Sequence, residues 1–338
     1  MTLRVGVIGT GTMGSAHVRT LHTEISDATV VAVSDADLDR ANAVAGECAG
    51  TRVFPAAEDL IAAADVDAVV IAAPDEAHEP LVLACLDAGK PVLCEKPLAA
   101  TVAGCLRIVE REVALGRRLV QVGYMRRFDP AYVELKRTLR DGRVGAPLML
   151  HCAHRNAVAM PWFTPEMPIL NSAVHEFDVI RWLLSADIAQ VSVFTPRSSS
   201  LAAAGLSDPR LLVVETSSGV LADIEIFVNA QYGYDVRCEL VGETSTAGLT
   251  PTPVFRDFRA RFADAYRRQL QSWVTAAGTN GACGAGAWDG YAAGVAAETC
   301  LQAAEERRTV AVTMPKRPAL YESPTEEQCV ITPSVTPI

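Results

Sequence analysis

A glutamate, a lysine and a proline follow a short apolar run in residues 89–98, which read Gly-Lys-Pro-Val-Leu-Cys-Glu-Lys-Pro-Leu. The run Val92–Cys94 predicts a short buried strand, which places Glu95 and Lys96 at its C-terminal end. Ligands of an open parallel sheet bind at that end of the strands. A lysine placed there can take part in chemistry, because burial beside a cofactor shifts its pKa. The alternative is a solvated Glu–Lys pair before a turn proline.

A second candidate for chemistry lies in residues 171–184, which the apolar spacing predicts to be a helix. With about 3.6 residues per turn, one narrow face would carry an amide, an imidazole, a carboxylate and an indole, from Asn171, His175, Asp178 and Trp182. The opposite face, with Ile180 and Leu184, would pack on the core. Such a polar stripe is commonly a solvated face or an interface. Polar clusters at two predicted strand ends, 154–156 and 231–235, favour a pocket for a polyhydroxylated ligand.

The composition of the 338-residue chain limits the function classes. A hydrophobic content of 50% and a charged content of 21% are ordinary for a globular protein of about two domains. The formal net charge of −10 argues against a surface that binds nucleic acid. The nine cysteines form no Cys-x-x-Cys pair, which is typical of buried thiols in a reducing compartment. No His/Asp/Glu cluster has metal-ligand spacing, so we expect no metal.

The N-terminal sequence leads directly into a predicted strand, without the pattern of a signal peptide. No apolar run approaches the ~20 residues of a membrane span. We therefore expect a cytoplasmic protein that acts without a membrane or a nucleic acid as partner.

The order of the predicted elements indicates two domains and a tail. Residues 3–122 alternate apolar runs with helix-period segments, which predicts a parallel sheet covered on both faces, an α/β Rossmann domain over 1–122. Strand-like runs with few helices follow, which predicts an α+β domain with a largely antiparallel open sheet over 123–313. Prolines recur beyond that point, so residues 314–338 are expected to form an irregular tail.

The turn Gly9–Gly14 has the spacing Gly-x-Gly-x-x-Gly and lies between a predicted strand and a predicted helix. The first glycine permits a tight turn, the second lets backbone N–H groups approach a pyrophosphate, and the third lets helix and strand pack closely. Asp35, about 20 residues beyond, can accept both ribose hydroxyls and repels a 2′-phosphate. Because no arginine follows Asp35 immediately, we expect NAD rather than NADP. The alternative is a glycine turn in an unrelated α/β domain.

A second turn, Ala73-Pro74, follows another predicted strand, and His78 begins the next helix. In a Rossmann layout this turn faces the ribose on the nicotinamide side. His78 then either lies near the cofactor or is a surface histidine at a helix N-terminus.

The glycine turn with Asp35, together with the Gly-Lys-Pro-Val-Leu-Cys-Glu-Lys-Pro segment, resembles the Gfo/Idh/MocA oxidoreductases. Further stretches are similar to the inositol 2-dehydrogenases within that family, at residues 121–129, 154–156, 173–178, 231–235 and 288–293. The resemblance covers about residues 3–313 and leaves the proline-rich tail without a counterpart.

The resemblance implies an NAD-dependent dehydrogenase that oxidises a secondary alcohol of a cyclitol or sugar ring by hydride transfer to nicotinamide C4. Lys96 would hydrogen-bond the reacting hydroxyl, and His175, four residues after Asn171, would be the general base. Other hydroxyls would be held by Arg126, His154, Asn156, Asp178 and Tyr234. The cofactor would contact Gly9, Gly11, Thr12, Met13, Gly14, Asp35, Ala73, Pro74, His78, Glu95 and Lys96.

The resemblance also implies that the open face of the second domain's sheet binds substrate, while the other face packs into homodimers or homotetramers. A non-catalytic NAD- or sugar-sensing regulator on the same fold is the alternative, since a fold does not fix a function. The presence of both Lys96 and His175 argues against a sensor.

One position departs from the family pattern, in which an aspartate lies four residues before the histidine. Here that position is Asn171. An amide can orient an imidazole but carries no charge, so we expect His175 to be a weaker base, and a tenfold loss of basicity corresponds to ~1.4 kcal/mol. This departure and the acidic chain favour a substituted ring as substrate, such as an amino sugar or an aminocyclitol.

Overall fold

The computed structural model describes residues 2–203, 205–249, 254–279 and 281–322, and the chain divides into two compact units. As far as their residues are described, unit 1 consists of Met1–Gly123, Arg267–Trp288 and Lys316–Ile338. Unit 2 consists of Tyr124–Tyr266 and Asp289–Pro315. The domain limits expected from the sequence, at 122 and 313, stay predictions.

Unit 1 contains a parallel sheet of six strands in the order β3-β2-β1-β4-β5-β6. The strands are β1 (Leu3–Ile8), β2 (Ala28–Ser34), β3 (Arg52–Phe54), β4 (Ala68–Ile71), β5 (Val92–Cys94) and β6 (Val120–Val122). The helices between them are α1 (Thr12–Thr23), α2 (Leu38–Ala45), α3 (Ala57–Ala62), α4 (Asp75–Asp87) and α5 (Val102–Leu115). β4, β5 and β6 are buried throughout, as expected of strands that helices cover on both faces. The predicted Rossmann fold is confirmed.

The sequence did not predict β3, because this strand has three residues and begins with the exposed Arg52. Its backbone hydrogen bonds come from parallel pairing with β2, and no apolar run in the sequence marks the strand. The core of unit 1 also includes apolar side chains from beyond residue 123, namely Leu270, Trp273, Val274 and Ala277.

Unit 2 contains a sheet of seven strands in the order β12-β11-β7-β10-β9-β8-β13. The strands are β7 (Pro147–Arg155), β8 (Ile188–Phe194), β9 (Arg210–Thr216), β10 (Leu221–Phe227), β11 (Asp235–Gly242), β12 (Thr246–Gly248) and β13 (Val310–Ala311). β7 and β10 are parallel, and the other neighbouring strands are antiparallel. Burial alternates along β10, so one face of the sheet is covered and the other is more open. The predicted α+β fold with a largely antiparallel sheet is confirmed.

The remaining described α-helices are α6 (Pro130–Arg140), α7 (Val174–Leu184), α8 (Phe258–Ala277) and α9 (Ala287–Glu306). α7 carries the predicted general base and follows a π-helical turn over Pro168–Ala173, so Asn171 precedes the α-helix. At the other end of α7, Lys136 Nζ donates to the carbonyl of Leu183 at 3.2 Å and to Oγ of Ser185 at 2.7 Å. An ammonium at this end satisfies carbonyl groups that have no partner within the helix.

α7 is buried on almost all sides, which corrects the expectation of one polar face opposite an apolar core face. Each residue from Val174 to Arg181 is at most 7% exposed, whereas Leu184, expected in the core, is half-buried. Charged side chains are buried along this helix because they are paired with charged groups from other elements.

The described part of the predicted tail, 314–322, includes a short 3₁₀ turn over Ala319–Tyr321. Tyr321 is 7% exposed, and its hydroxyl donates to Oε2 of Glu112 on α5 at 2.7 Å. The tail is therefore packed into unit 1 at this point. The rest of it, residues 323–338, lies outside the described residues.

Eight of the nine cysteines lie in the described residues, where all are buried and none forms a disulfide, and Cys329 lies outside them. Among the side chains that the structure describes, no group of three or more His, Cys, Asp and Glu residues could hold a metal ion. No helix in the described ranges is both long and apolar enough to cross a membrane.

Candidate active site

The turn after β1 contains two glycines that the backbone requires. Gly9 has a φ of +86°, and a Cβ there would lie 2.4 Å from the carbonyl oxygen of Ala72. A Cβ on Gly14 would lie 1.7 Å from the carbonyl oxygen of Gly9. A Cβ on Gly11 would meet no described atom within 4 Å, so packing within the chain does not account for that glycine.

The N-terminus of α1 at this turn is suited to an anion. Gly11 is its N-cap, and the first turn has neither a capping side chain nor an acidic residue. The first N–H groups of such a helix, together with its dipole, favour a phosphate. Thr12 is exposed and Met13 is half-buried. These features and the open space at Gly11 fit the pyrophosphate of a dinucleotide.

Asp35, directly after β2, is a buried carboxylate surrounded by donors. Its Oδ2 accepts from the N–H of Thr10 at 2.6 Å, and its Oδ1 accepts from the N–H of Asp37 at 2.9 Å and from Nη2 of Arg40 at 2.7 Å. Burial by itself raises the pKa of Asp35, but these bonds, led by that of Arg40, hold the pKa well below its ordinary value. A permanent anion here suits ribose hydroxyls. The sequence did not indicate Arg40, because this residue lies one helical turn beyond Asp35.

Glu95 is buried and paired, so the reading of a solvated Glu–Lys pair is wrong for this residue. It is 7% exposed, and its Oε1 lies 2.8 Å from Nε2 of His17 on α1. Burial raises the pKa of Glu95, but His17 and the charge of Lys96 bring it below the ordinary value. A Cβ on Gly123 would lie 2.7 Å from Oε2, so this glycine leaves room for the carboxylate. Lys96 itself is half-buried.

His78, on α4, is 1% exposed and is therefore not a surface histidine. Its Nε2 lies 2.9 Å from the carbonyl oxygen of Ala73, and its Nδ1 lies 2.6 Å from that of Pro97. The imidazole thus links the turn after β4 to the turn after β5. Pro74, which follows Ala73, is exposed. A cofactor contact of His78, Ala73 and Pro74 stays a prediction.

In unit 2 a buried ion pair joins the 3₁₀ turn at residues 125–128 to α7. Arg126 is 1% exposed, and its Nη1 donates to Oε1 of Glu176, which is 0% exposed. Nη2 of Arg126 approaches Nδ1 of His154, near the C-terminal end of β7, at 3.2 Å. Arg126, predicted to bind a substrate hydroxyl, is therefore engaged by two protein groups.

Two imidazoles and a phenol meet beside this ion pair. The ring of His154 lies 6.1 Å from that of His175 and 5.7 Å from that of Tyr234. Tyr124 packs edge-on against His175 at 5.9 Å. Burial raises the pKa of Tyr234 to about 12, so its hydroxyl keeps its proton and can donate. The structure thus brings together three of the predicted site residues; we call His154, His175 and Tyr234 the imidazole–phenol cluster.

The two asparagines predicted for the site are half-buried. Asn156 follows β7, and its backbone N–H donates to the carbonyl of Phe227 at 2.9 Å. Asn171 lies in the π-helical turn, four residues before His175. The roles assigned to both side chains stay predictions.

Asp178, also predicted to bind substrate, is held by Arg127. Nε and Nη2 of Arg127 donate to different oxygens of Asp178 at 3.0 and 2.6 Å, and Asp178 is 1% exposed. Arg127 also lies 3.2 Å from Asp289, which in turn lies 3.1 Å from Arg181. Burial raises the pKa of Asp178 to about 6, in spite of Arg127. A contact between Asp178 and substrate stays a prediction.

Sequence reasoning found the members of the imidazole–phenol cluster and missed the charged residues that support them. Arg127 and Glu176 lie in the family-like stretches 121–129 and 173–178, but the sequence assigned neither of them a role. In unit 1 it likewise assigned no role to His17, the partner of Glu95. The signal available was the presence of charged residues inside apolar segments, Arg126-Arg127 in one and Glu176 and Asp178 in the other. Charged side chains that are buried with such segments need partners of opposite charge, because an unpaired buried charge is costly.

We expect Asp178 to make stability fall as pH rises, because its pKa is raised on folding. A rise from 3.8 to about 6 corresponds to a stabilisation of roughly 3 kcal/mol. This stabilisation is fully present below the pKa of the unfolded state and is lost as pH rises through the pKa of the folded state. The difference in free energy of unfolding between the natural protein and Asp178→Asn should therefore shrink by that order between about pH 4 and 6. Urea unfolding followed at several pH values measures it.

Glu176 is the matched control, because burial raises its pKa but the charge of Arg126 lowers it below the ordinary value of 4.5. Its contribution is present above pH 4.5 and is lost as pH falls, so the difference between the natural protein and Glu176→Gln should shrink in the opposite direction. The same pH dependence of the stability difference for both variants would contradict the environments assigned to Asp178 and Glu176.

Sequence comparison matches both predicted domains. A family model described as an oxidoreductase family with an NAD-binding Rossmann fold matches residues 3–124, and a model of the GFO/IDH/MocA C-terminal domain matches residues 132–247. Inositol 2-dehydrogenase 1 of Saccharopolyspora erythraea is 61% identical, with 95% of this chain and 99% of that protein covered. Inositol 2-dehydrogenase of Klebsiella pneumoniae is 46% identical, with 95% and 100% covered.

Among solved structures, the crystal structure of myo-inositol dehydrogenase from Lactobacillus casei in complex with NAD(H) and myo-inositol has a TM-score of 0.92 and 34% identity. It covers 95% of this chain and 100% of that one. The predictions of an NAD cofactor and of oxidoreductase activity on CH–OH groups are confirmed by these similarities. The chain belongs to the Gfo/Idh/MocA family of oxidoreductases.

Proposed function

We propose that this enzyme oxidises a secondary alcohol of a cyclitol or sugar ring and transfers the hydride to NAD. The observation that carries the proposal is the buried imidazole–phenol cluster, in which His154 lies 6.1 Å from His175 and 5.7 Å from Tyr234, ring to ring. Imidazole and phenol groups can both donate and accept, as a ring with several hydroxyls requires. The relatives with the highest identity quoted above are inositol 2-dehydrogenases.

In the proposed reaction His175 removes the proton of the reacting hydroxyl as the hydride leaves the same carbon. A positioned base contributes typically about 10²–10⁴-fold to such a step. The ammonium of Lys96 stabilises the negative charge that develops on the oxygen. NAD, when bound, supplies the acceptor for the hydride at nicotinamide C4. The N-terminus of α1 and the carboxylate of Asp35 orient the cofactor.

The other predicted substrate residues divide into two groups. His154, Asn156 and Tyr234 are proposed to contact hydroxyls directly. Arg126 and Asp178 are each 1% exposed and are held by protein partners, so we propose that they act by fixing their neighbours.

For the finer substrate class we propose a ring that carries an amino group, an amino sugar or an aminocyclitol. The support is Asn171, which stands where the family pattern has an aspartate, and the net charge of −10. With Asn171 in place of the aspartate, no carboxylate lies four residues before His175 to strengthen it as a base. A basic group on the substrate can then itself assist deprotonation of the reacting hydroxyl.

Because the buried His154 lies on the covered face of the unit 2 sheet, contrary to what the resemblance implies for the substrate side, we also propose that the enzyme works in the cytoplasm as a homodimer or homotetramer formed through the more open face. That face exposes Met149 on β7 and Leu221 on β10, and it carries the paired side chains of His151 and Asp223. An apolar patch that contains methionine and is bordered by polar groups is typical of interfaces. Sedimentation equilibrium should give two or four chains, and a Met149→Glu/Leu221→Glu variant should dissociate; a monomeric natural protein would contradict this proposal.

We expect NADH to form when the enzyme and NAD are mixed with an amino sugar or aminocyclitol, more slowly with myo-inositol, and not with linear polyols. His175→Ala should lower kcat by about 10²-fold or more, because the base is lost, while the affinity for NAD measured by fluorescence titration changes little. Initial rates of NADH absorbance over such a panel measure the preference.

Asn171→Asp is the matched control in the same panel. Restoring a carboxylate should favour myo-inositol over the amino substrates, because the imidazole becomes a stronger base and no longer needs a basic substrate. Fast turnover of myo-inositol with none of any amino ring would rule out the finer proposal. An equal loss of turnover and of NAD affinity in His175→Ala would rule out its role as base.

A further inference from the structure

The hydrogen bond between Arg126 and His154 determines where the ring proton of His154 lies. Nη2 of Arg126 is 3.2 Å from Nδ1 of His154. A guanidinium offers donors only and keeps its protons in proteins, so Nδ1 has to accept at this contact. A neutral imidazole that accepts at Nδ1 carries its proton on Nε2.

Glu176 does not reverse this assignment. Its Oε1 is 3.4 Å from Nδ1 of His154, longer than the roughly 2.7–3.2 Å of an N–H···O hydrogen bond. The same Oε1 accepts from Nη1 of Arg126, so the carboxylate already has a cation. One guanidinium therefore connects the carboxylate and the imidazole.

The groups packed around Arg126 and His154 would not support an imidazolium. The ring of Tyr234, directly before β11, faces His154, that of Tyr132 on α6 faces Arg126, and Cys152 lies two residues before His154 on β7. Burial raises the pKa of both tyrosines, and the hydrogen bond with Cys238 together with burial raises that of Cys152, so all three stay neutral. A protonated His154 would place two cations 3.2 Å apart with one carboxylate between them. Unbalanced charge in a buried region is costly.

We propose that Arg126 is a positioning residue that holds His154 as the neutral tautomer protonated at Nε2, so that His154 donates a hydrogen bond to an oxygen of the substrate. The identity of the substrate rests on the proposed function, whereas the tautomer is a property of the protein alone. The ring position that faces His154 must then offer a lone pair. A hydroxyl, an ether or a carbonyl oxygen meets this condition, and an ammonium group does not, so the amino group of an amino substrate lies at another ring position.

Nitrogen NMR on protein labelled in its histidine rings tests the tautomer directly. The chain has six histidines, and the ring of His154 is identified by the signals that disappear in His154→Gln. We expect Nδ1 to resonate as an unprotonated acceptor and Nε2 as a protonated nitrogen near neutral pH, with and without NAD. A protonated Nδ1, alone or together with a protonated Nε2, would overturn the proposal without any variant.

Two variants separate the effect of Arg126 from that of Glu176. The Nε2–H pattern should survive in Glu176→Gln, which keeps Arg126, and should give way to a mixture of tautomers in Arg126→Met/Glu176→Met. The double variant avoids an unpaired buried charge and is expected to fold. A pattern that reverses in Glu176→Gln, or one that persists unchanged in a folded double variant, contradicts the role of Arg126.

Kinetics then relate the tautomer to the substrate. In the double variant we expect KM for the ring substrate to rise by about tenfold, the effect of about one hydrogen bond, with a smaller change in kcat. A tenfold fall of kcat with an unchanged KM would indicate that His154 does not bind the substrate. If the natural protein turns over no ring alcohol, the proposed function fails, while the NMR result still decides the tautomer.

Discussion

The ion pair between Arg126 and Glu176 is the constraint on which the site residues of unit 2 depend. Both side chains are almost completely buried, at 1% and 0% exposed. Each charge on its own would cost several kcal/mol to remove from water. The two must therefore stay together, and Glu176 is the residue next to His175. The pair thus fixes α7 with respect to the turn at residues 125–128. Arg127 and Asp178 form a second such link, one residue further along the turn and two residues further along α7. A helix with charged groups on several sides can be buried only because these partners exist.

The same principle holds in unit 1, at the turns that follow two of its strands. Asp35 and Glu95 are buried carboxylates at the ends of β2 and β5, and each is held by donors of the protein, Thr10 and Arg40 for one and His17 for the other. Their orientation is set before any ligand arrives. Groups placed in advance need no reorganisation at the moment of binding or reaction. The cost falls on folding, where each carboxylate must be matched by a specific donor.

The sequence predicted the fold better than it predicted the charged partners of the candidate site residues. Continuous apolar runs separated by helix periods led to the parallel sheet, and the spacing of Gly9–Gly14 predicted the turn between β1 and α1, because local spacing determines both. β3 was missed since its stability comes from pairing with β2. The polar stripe on α7 was interpreted as one-sided, whereas Glu176 and Asp178 are neutralised by Arg126 and Arg127, about 50 residues earlier. Contacts at that separation leave no periodic signal in the chain.

The dependence on the Arg126–Glu176 pair is tested most directly by a double-mutant cycle on the free energy of unfolding in urea, with Arg126→Met, Glu176→Met and the double variant. Each single variant should lose about 3–5 kcal/mol, since it leaves one buried charge unpaired. The double variant should lose less than the sum, by a coupling energy of about 2 kcal/mol or more. Losses that add to within about 0.5 kcal/mol would show that the two side chains act independently, and would contradict a unit 2 site organised around this pair.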